Sequence, residues 1–320
     1  MKVLITGGMG VNGAVLARAM VQDGERPVLL DNRVDFSLIR DIKDQLDCIE
    51  GDVTDPRTLD NIVTDFGVTH IAHLAALMPE PAEADPRLGI KVGVDGTVNI
   101  LEIARARSIK RVVFTSSKAV YGELLGEFGP PNYKAVDESH PKNPADLYGT
   151  IKVCCEEIGR YYRKKYGIEF IALRYSTIYG PGKEARHGAL SFYGQLIEKA
   201  MAGEPWTMES GADQLNDALY VGDVAQSVRC ALKAPYSDVW QFNIGSGKGS
   251  TPRQFIEALT EICPGHRIEM GGGDSQLGRT KQSFCIFDIS AARKHIGYEP
   301  ACDVRRGVLD YVETIKRLRG

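Results

Sequence analysis

The sequence predicts a doubly wound α/β fold, in which helices cover both faces of a parallel sheet, with a smaller C-terminal lobe. Short β-rich segments alternate with helix-length segments over the first 175 residues, and this alternation is typical of βαβ units. Because crossovers between parallel strands are right-handed, successive units build a doubly wound sheet. After about residue 176 the alternation gives way to loops and isolated helices, so we expect a separate lobe there.

Each element is predicted from its own pattern. Apolar, β-rich runs indicate strands at residues 2–6, 27–30, 48–51, 69–74, 111–115 and 169–174. Helical periodicity indicates helices at residues 13–23, 58–65, 94–107 and 145–166. In the C-terminal part we expect helices at residues 190–202, 251–262 and 309–318. A short β-rich run at residues 241–244 predicts a strand that rejoins the main sheet.

Composition excludes several classes of protein. The chain has 320 residues, is 43% hydrophobic and 25% charged, and carries a net charge of −3. This charge predicts no general attraction to nucleic acid or to an anionic membrane, so we expect a small-molecule partner. The apolar runs are strand-sized, well below the ~20 residues that cross a bilayer. The seven cysteines show no CxxC or Cys/His spacing, which favours reduced thiols in a cytoplasmic protein without a metal site.

A glycine-rich segment joins the first predicted strand to the first predicted helix. Gly7, Gly10 and Gly13 have the spacing GxxGxxG, with Val11 and Asn12 between them. The first glycine permits a tight turn, the second lets the backbone approach a pyrophosphate, and the third lets helix and strand pack closely. The helix N-terminus then stabilises the anion. With a strand before it and a helix after it, the segment predicts a dinucleotide-binding loop.

An acidic residue ends the second predicted strand. Asp31 follows Gly7 by 24 positions, the place where a carboxylate accepts hydrogen bonds from the adenosine ribose and repels a 2′-phosphate. It predicts NAD rather than NADP, with Asn32 beside the same ribose. An ordinary solvated Asp is the alternative, and Arg33 lies close enough to accommodate a phosphate.

Two further strand ends are expected beside the cofactor. Asp52 and Val53 follow the third strand and are predicted to flank the adenine, unless they form a plain surface turn. Leu74, Ala75 and Ala76 end the fourth strand. Their small side chains let the backbone pass close to the cofactor, although helix–sheet packing explains them equally well.

The chemistry is predicted from a tyrosine, a lysine and a run of hydroxyl residues. Tyr148 and Lys152 have i, i+4 spacing near the start of a helix, so they share one helical face. A neighbouring ammonium and a positive nicotinamide both favour the phenolate form of tyrosine. Thr115, Ser116 and Ser117 follow a strand, and a hydroxyl there can hold the reacting substrate oxygen. Together they predict hydride transfer at a carbinol carbon with Tyr148 as general base.

A second YxxxK motif is a competing interpretation. Tyr161 lies 13 positions after Tyr148 and is followed by Lys165. Thirteen residues correspond to roughly 220° around an α-helix, so the two pairs cannot share a face. We therefore predict a packed or solvated surface role for Tyr161 and Lys165.

Ten segments in order carry a family resemblance. They are TGGMGVNG, LLDN, GDVTD, HLAA, FTSSKAVYG, YGTIK, LRYSTIYGPG, YVGDVA, FNIGSG and DISAARKHIGYEP. The chain resembles the extended short-chain dehydrogenase/reductase family, also called the NAD-dependent epimerase/dehydratase family. The resemblance implies a Rossmann domain, bound NAD, and catalytic roles for Ser117, Tyr148 and Lys152. It also implies a homodimer whose four-helix bundle uses the helices at residues 94–107 and 145–166.

The expected domain limits follow from these motifs. Residues 1–175 are predicted to form the NAD-binding Rossmann domain, to which residues 215–245 return. Residues 176–320 are predicted to form the substrate-binding lobe. We expect Tyr175 and Ile178, from the LRYSTIYGPG segment, to line the cofactor site at the boundary between the two. Thr115, Tyr148 and Lys152 are also expected to contact the cofactor.

The departures from the family pattern concern the substrate. Nucleotide-sugar epimerases usually have Asn where this chain has Thr177, and Arg where it has Asn216. In the family those residues hold a substrate diphosphate, so no clamp for two phosphates is evident here. Residues 82–97, AEADPRLGIKVGVDGT, are similar to sugar-acid dehydrogenases of the family, such as D-erythronate dehydrogenase.

Three functions remain open from the sequence. The first is a dehydrogenase that oxidises a secondary alcohol of a small polyhydroxy or sugar-acid-like substrate. The second is a nucleotide-sugar 4-epimerase with tightly bound NAD, and the third is a non-catalytic NAD(H)-sensing scaffold. The residues expected to contact the substrate are Met78, Ser116, Ser117, Thr177, Arg186 and Arg279.

Overall fold

A computed structural model describes residues 1–184, 191–274 and 284–319. The strands are β1 (Val3–Thr6), β2 (Val28–Asp31), β3 (Asp47–Glu50), β4 (His70–His73), β5 (Arg111–Ser117), β6 (Glu169–Tyr175), β7 (Thr177–Tyr179), β8 (Trp206–Met208), β9 (Ala218–Tyr220), β10 (Gln241–Ile244) and β11 (Ile268–Met270). The helices are α1 (Val11–Gln22), α2 (Pro56–Asp65), α3 (Pro79–Ala84), α4 (Pro86–Ile90), α5 (Gly96–Ala106), α6 (Leu147–Tyr166), α7 (Phe192–Ala202), α8 (Val221–Lys233), α9 (Pro252–Ile262), α10 (Ser290–Ile296) and α11 (Val304–Arg319).

Seven strands form one parallel sheet in the order β10-β6-β5-β4-β1-β2-β3. From β1, the chain adds β2 and β3 toward one edge of the sheet and then β4, β5 and β6 toward the other, as in doubly wound sheets. The predicted strand at residues 241–244 is present as β10, which pairs with β6 at the edge of the sheet. The predicted α/β fold class is therefore confirmed.

The core consists of two clusters on the two faces of the sheet and a third in the C-terminal part. Along β1, Val3 and Ile5 pack into one cluster, whereas Leu4 packs into the other. This alternation follows from the two-residue period of a strand. In the third cluster, α7, α9 and α11 contribute residues such as Leu196, Phe255 and Val308.

Some boundaries differ from those predicted. The last helix begins at Val304 rather than at residue 309, and Asp303 accepts a hydrogen bond from the backbone N–H of Arg306 at 2.8 Å. Gly307 obscured this start, because glycine lowers helix propensity. The glycine is required by packing, since a Cβ there would lie 2.0 Å from the Tyr179 hydroxyl.

The three-residue strands of the C-terminal part were not predicted. β7 pairs with β9, and β8 pairs with β11, each pair forming a small parallel sheet. Three residues are too few to show a period-2 pattern. Within the three described ranges, the helices are all too short or too polar to span a bilayer.

Candidate active site

A cavity of about 680 Å³ lies at the carboxyl ends of the central strands. This is the edge at which open α/β sheets bind ligands. All seventeen residues that the sequence suggested for a cofactor line this cavity, from the Gly7–Gly13 loop to Ile178. Met78, Ser116, Ser117 and Thr177 line it as well. Arg186 and Arg279, the other two expected substrate contacts, lie outside the described residues.

The glycine loop is tightly packed at the N-terminus of α1. Gly7 has φ +65°, and a Cβ there would lie 2.9 Å from the backbone nitrogen of Ala75. A Cβ on Gly13 would lie 2.3 Å from the carbonyl oxygen of Gly7. Side chains are therefore excluded on both sides of the loop, which leaves its backbone open to the cavity. Helix α1 begins at Val11 rather than at residue 13. Because its first residues line the cavity, the helix N-terminus that could hold an anion lies at the cavity wall.

A threonine and a histidine hold the β1 and β4 ends together. The Thr6 hydroxyl accepts hydrogen bonds from the backbone N–H groups of Leu74 and Ala75, each at 3.2 Å. His73 lies 2.7 Å from the same hydroxyl through Nδ1, and burial lowers its pKa to about 3. A neutral imidazole held against the Thr6 hydroxyl has a structural role. It positions the backbone of Leu74 and Ala75 along the cavity wall.

Asp31 lies at the cavity edge of β2. Its carboxylate accepts hydrogen bonds from the backbone N–H of Met9 at 3.0 Å and of Arg33 at 3.4 Å. A carboxylate has about four acceptor positions, so it retains capacity for further donors from a ligand. The Arg33 side chain is exposed.

Tyr148 and Ser117 are brought together by the start of α6. Asp146 caps the helix by accepting a hydrogen bond from the backbone N–H of Gly149 at 2.7 Å. Gly149 lets the helix approach closely, because a Cβ there would lie 2.5 Å from the carbonyl oxygen of Ala119. Burial raises the pKa of Tyr148 to about 12, and a hydrogen bond with the Ser117 side chain opposes this shift.

Burial dominates the pKa values of both Tyr148 and Lys152 in the protein alone. The Lys152 ammonium lies 5.5 Å from the Tyr148 ring centre and donates to the carbonyl oxygen of Thr115 at 2.6 Å. In the protein alone, burial outweighs any lowering of the tyrosine pKa by this cation. Burial also lowers the pKa of Lys152 to about 8. A phenolate at neutral pH therefore needs further positive charge beside Tyr148.

Ser116 does not present its hydroxyl to a substrate, contrary to expectation. The hydroxyl donates to the buried carboxylate of Glu156 at 2.6 Å. Glu156 also accepts two hydrogen bonds from the Arg174 guanidinium, at 2.8 and 2.7 Å. Successive strand residues point to opposite faces of the sheet. The Ser116 side chain therefore faces this ion pair, and the Ser117 side chain lies on the other face. The ion pair joins α6 to β6 and supports the helix that carries Tyr148.

The second YxxxK motif lies outside the cavity. The Tyr161 side chain is 51% exposed, and its hydroxyl accepts a hydrogen bond from Lys165 at 2.7 Å. The pair is therefore a solvated surface feature, as predicted.

Two lysines that line the cavity were not singled out from the sequence. Lys118 directly follows Ser117, and its ammonium donates to the Thr177 hydroxyl at 2.8 Å. Lys183 precedes the expected substrate contact Arg186 by three positions, and burial lowers the pKa of Lys183 to about 8. The available signal was a cation directly after the hydroxyl run, at a strand end that already pointed to the site.

Comparisons with known proteins extend over the whole chain. A sequence model described as the NAD dependent epimerase/dehydratase family matches residues 3–245. The putative UDP-glucose 4-epimerase of Methanocaldococcus jannaschii is 30% identical over 316 residues, 98% of each chain. D-Erythronate dehydrogenase of Haemophilus influenzae is 33% identical over 210 residues, 64% of this chain and 63% of that protein.

A solved structure shows the same architecture. The Thermus thermophilus UDP-glucose 4-epimerase in complex with NAD superposes with a TM-score of 0.81 at 26% identity. The superposition covers 100% of this chain and 99% of that chain. The similarity therefore includes the C-terminal part that follows β6.

Proposed function

Since this chain belongs to the NAD-dependent epimerase/dehydratase family, we propose that it oxidises a secondary alcohol of a small polyhydroxy or sugar-acid-like substrate. It is an NAD-dependent enzyme. The observation that carries the proposal is the meeting of Ser117, Tyr148 and Lys152 in the cavity that also contains the glycine loop. With NAD bound in this cavity, a hydride acceptor and the proton acceptor Tyr148 would serve one substrate carbinol.

The cavity fits NAD. Asn12 Oδ1, within the glycine loop, is a buried oxygen for which the described residues provide no hydrogen-bond partner. Buried polar atoms are rarely left unpaired in proteins, so a ligand donor is expected there. The loop and the start of α1 would hold the pyrophosphate, Asp31 the adenosine ribose, and Lys152 the nicotinamide ribose. When bound, the oxidised cofactor supplies a hydride acceptor and a positive charge.

Asp31 is proposed to select NAD over NADP. In an Asp31→Ser variant we expect the affinity for NADPH to rise relative to that for NADH by about 10- to 100-fold, because a repelling carboxylate and its ribose hydrogen bonds are lost. Fluorescence titration with both reduced cofactors measures this ratio. Glu50→Gln is the matched control, since Glu50 pairs with Asp31 across β2 and β3 but is exposed. An unchanged ratio in Asp31→Ser contradicts the assignment.

Tyr148 is proposed to take the proton of the substrate hydroxyl. The positive charges of Lys152 and of the oxidised cofactor oppose the effect of burial on its pKa. Ser117 holds the same substrate oxygen and steadies its developing charge. As the hydroxyl O–H bond gives its proton to Tyr148, the carbinol C–H bond would break, its hydride would pass to the oxidised cofactor, and a C=O double bond would form.

The small substrate is proposed from the pair Thr177 and Asn216. The Asn216 amide donates to the Thr177 hydroxyl at 3.0 Å, and Asn216 is 2% exposed. This neutral pair occupies the positions at which the resemblance leads one to expect a diphosphate clamp, and its Thr177 hydroxyl also accepts a hydrogen bond from Lys118. The lobe beside it is therefore suited to a substrate without a nucleotide.

Nucleotide-sugar 4-epimerase activity is the second candidate. It is favoured by the M. jannaschii relative and by the T. thermophilus structure, both named as UDP-glucose 4-epimerases. An epimerase returns the hydride to its substrate and forms no net NADH. A spectrophotometric screen with NAD and erythronate, gluconate, erythritol, sorbitol, glucose and UDP-glucose separates the two functions. We expect NADH to accumulate with a sugar acid or polyol, whereas epimerised UDP-glucose without NADH favours the second candidate.

A homodimer through α5 and α6 is also proposed. Along α6, Leu147, Cys154 and Ile158 are partly or fully exposed and repeat at intervals of seven and four residues. Such a stripe is typical of a helix that packs against other helices.

An Ile158→Glu variant is expected to sediment as a monomer, while wild type sediments as a dimer, because a charge in an apolar interface is costly. Leu125→Glu is the control, since Leu125 is a 59% exposed apolar side chain outside α5 and α6. A monomeric wild type, or a dimeric Ile158→Glu variant, refutes this interface.

A cytoplasmic location is proposed from the free thiols of all seven cysteines, and cell fractionation tests it.

A further inference from the structure

Two hydrogen bonds join the end of β5 to one stripe of α6. The carbonyl oxygen of Thr115 accepts a hydrogen bond from the Lys152 ammonium at 2.6 Å, and the Ser116 hydroxyl donates to the Glu156 carboxylate at 2.6 Å. Lys152 and Glu156 follow Tyr148 by four and eight positions, so all three belong to the same helical stripe. The strand is therefore held to the helix about one and two turns after Tyr148.

The Glu156 carboxylate is fixed by further partners. Both of its oxygens accept hydrogen bonds from the Arg174 guanidinium, at 2.8 and 2.7 Å, and the Lys142 ammonium lies 2.9 Å from one of them. Arg174 in turn donates to the Tyr121 hydroxyl at 2.8 Å and to the Gln241 side chain at 2.7 Å. With the hydrogen bond from β5 included, the carboxylate has four contacts, about its full acceptor capacity.

The fully buried ion pair of Glu156 and Arg174 is better explained by position than by stability. The cost of desolvating two charges offsets their attraction, so such a pair contributes little net stability, and its best-attested use is to fix register. Here the pair meets β5 at Ser116, the residue directly before Ser117. The register it fixes is the one in which Ser117 and Tyr148 meet, where a misplacement of ~1 Å costs up to about 100-fold in rate.

We infer that Glu156 is a positioning residue for the proposed proton transfer, because it holds the end of β5 against α6 in the register that brings Ser117 to Tyr148. The inference rests on the proposed function and adds to it a residue remote from the reacting atoms. Glu156 is fully buried and acts through Ser116, which lines the cavity. The proton transfer itself stays with Tyr148.

The test uses two variants that keep every charge. Glu156→Asp shortens the side chain by one methylene, so its carboxylate reaches Ser116 and Arg174 only if α6 moves. We expect kcat per NADH-binding site to fall about 10- to 100-fold with the best substrate of the screen. Ser116→Ala removes one hydrogen bond and leaves the ion pair, so its kcat should fall about 3- to 10-fold. NADH titration counts the folded sites in each variant.

The ionisation of Tyr148 gives a second readout, which needs no substrate. In protein saturated with NAD, the near-ultraviolet difference between a protein and its Tyr148→Phe counterpart follows the phenolate. A hydrogen bond with Ser117 lowers the pKa of Tyr148, whereas burial and the Asp146 carboxylate raise it, and the Lys152 ammonium lies 5.5 Å from the ring centre. Displacement from Ser117 and Lys152 in Glu156→Asp should therefore raise the pH at which the phenolate forms by roughly one unit.

Glu157→Asp is the matched control. Glu157 is the next residue of α6, its side chain is 43% exposed, and it pairs with Lys142 at 2.8 Å and Arg160 at 2.7 Å. The same methylene is thus removed from a surface ion pair of the same helix. The control should keep the wild-type kcat and the wild-type phenolate titration.

An unchanged kcat per site or an unchanged phenolate titration in Glu156→Asp overturns the inference, as do equal losses in Glu157→Asp. If Glu156→Asp binds no NADH, Ser116→Ala decides by the same two criteria. Failure of wild type to oxidise any probe contradicts the proposed function instead, and the phenolate titration then tests the inference by itself.

Discussion

Replacement of Tyr148 by Phe is expected to lower kcat about 10²- to 10⁴-fold, the usual contribution of a positioned general base. The variant removes one hydroxyl from the cavity and leaves the ring, the α6 cap and Lys152 in place. The affinity for NADH should therefore change little. Steady-state kinetics with the best substrate of the panel, together with an NADH titration, measures both quantities.

Tyr161→Phe is the matched control, because Tyr161 has the same YxxxK context but is exposed outside the cavity. It loses only the surface hydrogen bond from Lys165, so its kcat should equal that of wild type. Full activity of Tyr148→Phe, or comparable losses in both variants, is incompatible with Tyr148 as the base.

Replacement of Gly13 by Ala is expected to weaken NADH binding at least about 100-fold, because the loop must move to admit the methyl group. The added Cβ would lie 2.3 Å from the carbonyl oxygen of Gly7 and 2.7 Å from the Cα of Gly8. Both are backbone atoms, which cannot rotate away as a side chain does. The displaced segment is the one proposed to approach the pyrophosphate. Fluorescence titration and chemical unfolding measure binding and stability separately.

Gly67→Ala serves as a comparison for the effect of an added methyl group. Gly67 has φ +60° and no atom within 4 Å of an added Cβ, so the cost is backbone strain of about 1 kcal/mol. We expect a small loss of stability and normal NADH binding. If Gly13→Ala binds NADH as wild type does, the glycine loop is not the pyrophosphate site.

The sheet could be predicted because its signals are local. β1, β4, β5 and β6 are apolar runs bounded by turns, and β10 has the same character although the chain leaves the sheet for more than 60 residues before it. The positions of Gly7, Gly13 and Asp31 could be predicted for a similar reason. Each is required by a short segment of chain whose geometry is the same wherever it occurs.

The remaining features depend on contacts between distant segments. Glu156 and Arg174 form their ion pair across α6 and β6, and nothing near Ser116 in sequence indicates that its hydroxyl joins that pair. The position of Lys118 against Thr177 depends likewise on the pairing of β5 with β6. The raised pKa of Tyr148 arises from its burial in the folded protein, which the YxxxK spacing does not reveal.

The central claim is that this enzyme oxidises a small polyhydroxy or sugar-acid-like substrate with NAD as the hydride acceptor. The most direct test is the stoichiometry of NADH formed to substrate consumed, measured with purified protein, excess NAD and erythronate or gluconate. We expect one NADH for each substrate molecule consumed, and a rate lowered about 10²- to 10⁴-fold in the Tyr148→Phe variant. Conversion of UDP-glucose to its 4-epimer without accumulation of NADH, together with no oxidation of any acid or polyol, would contradict it.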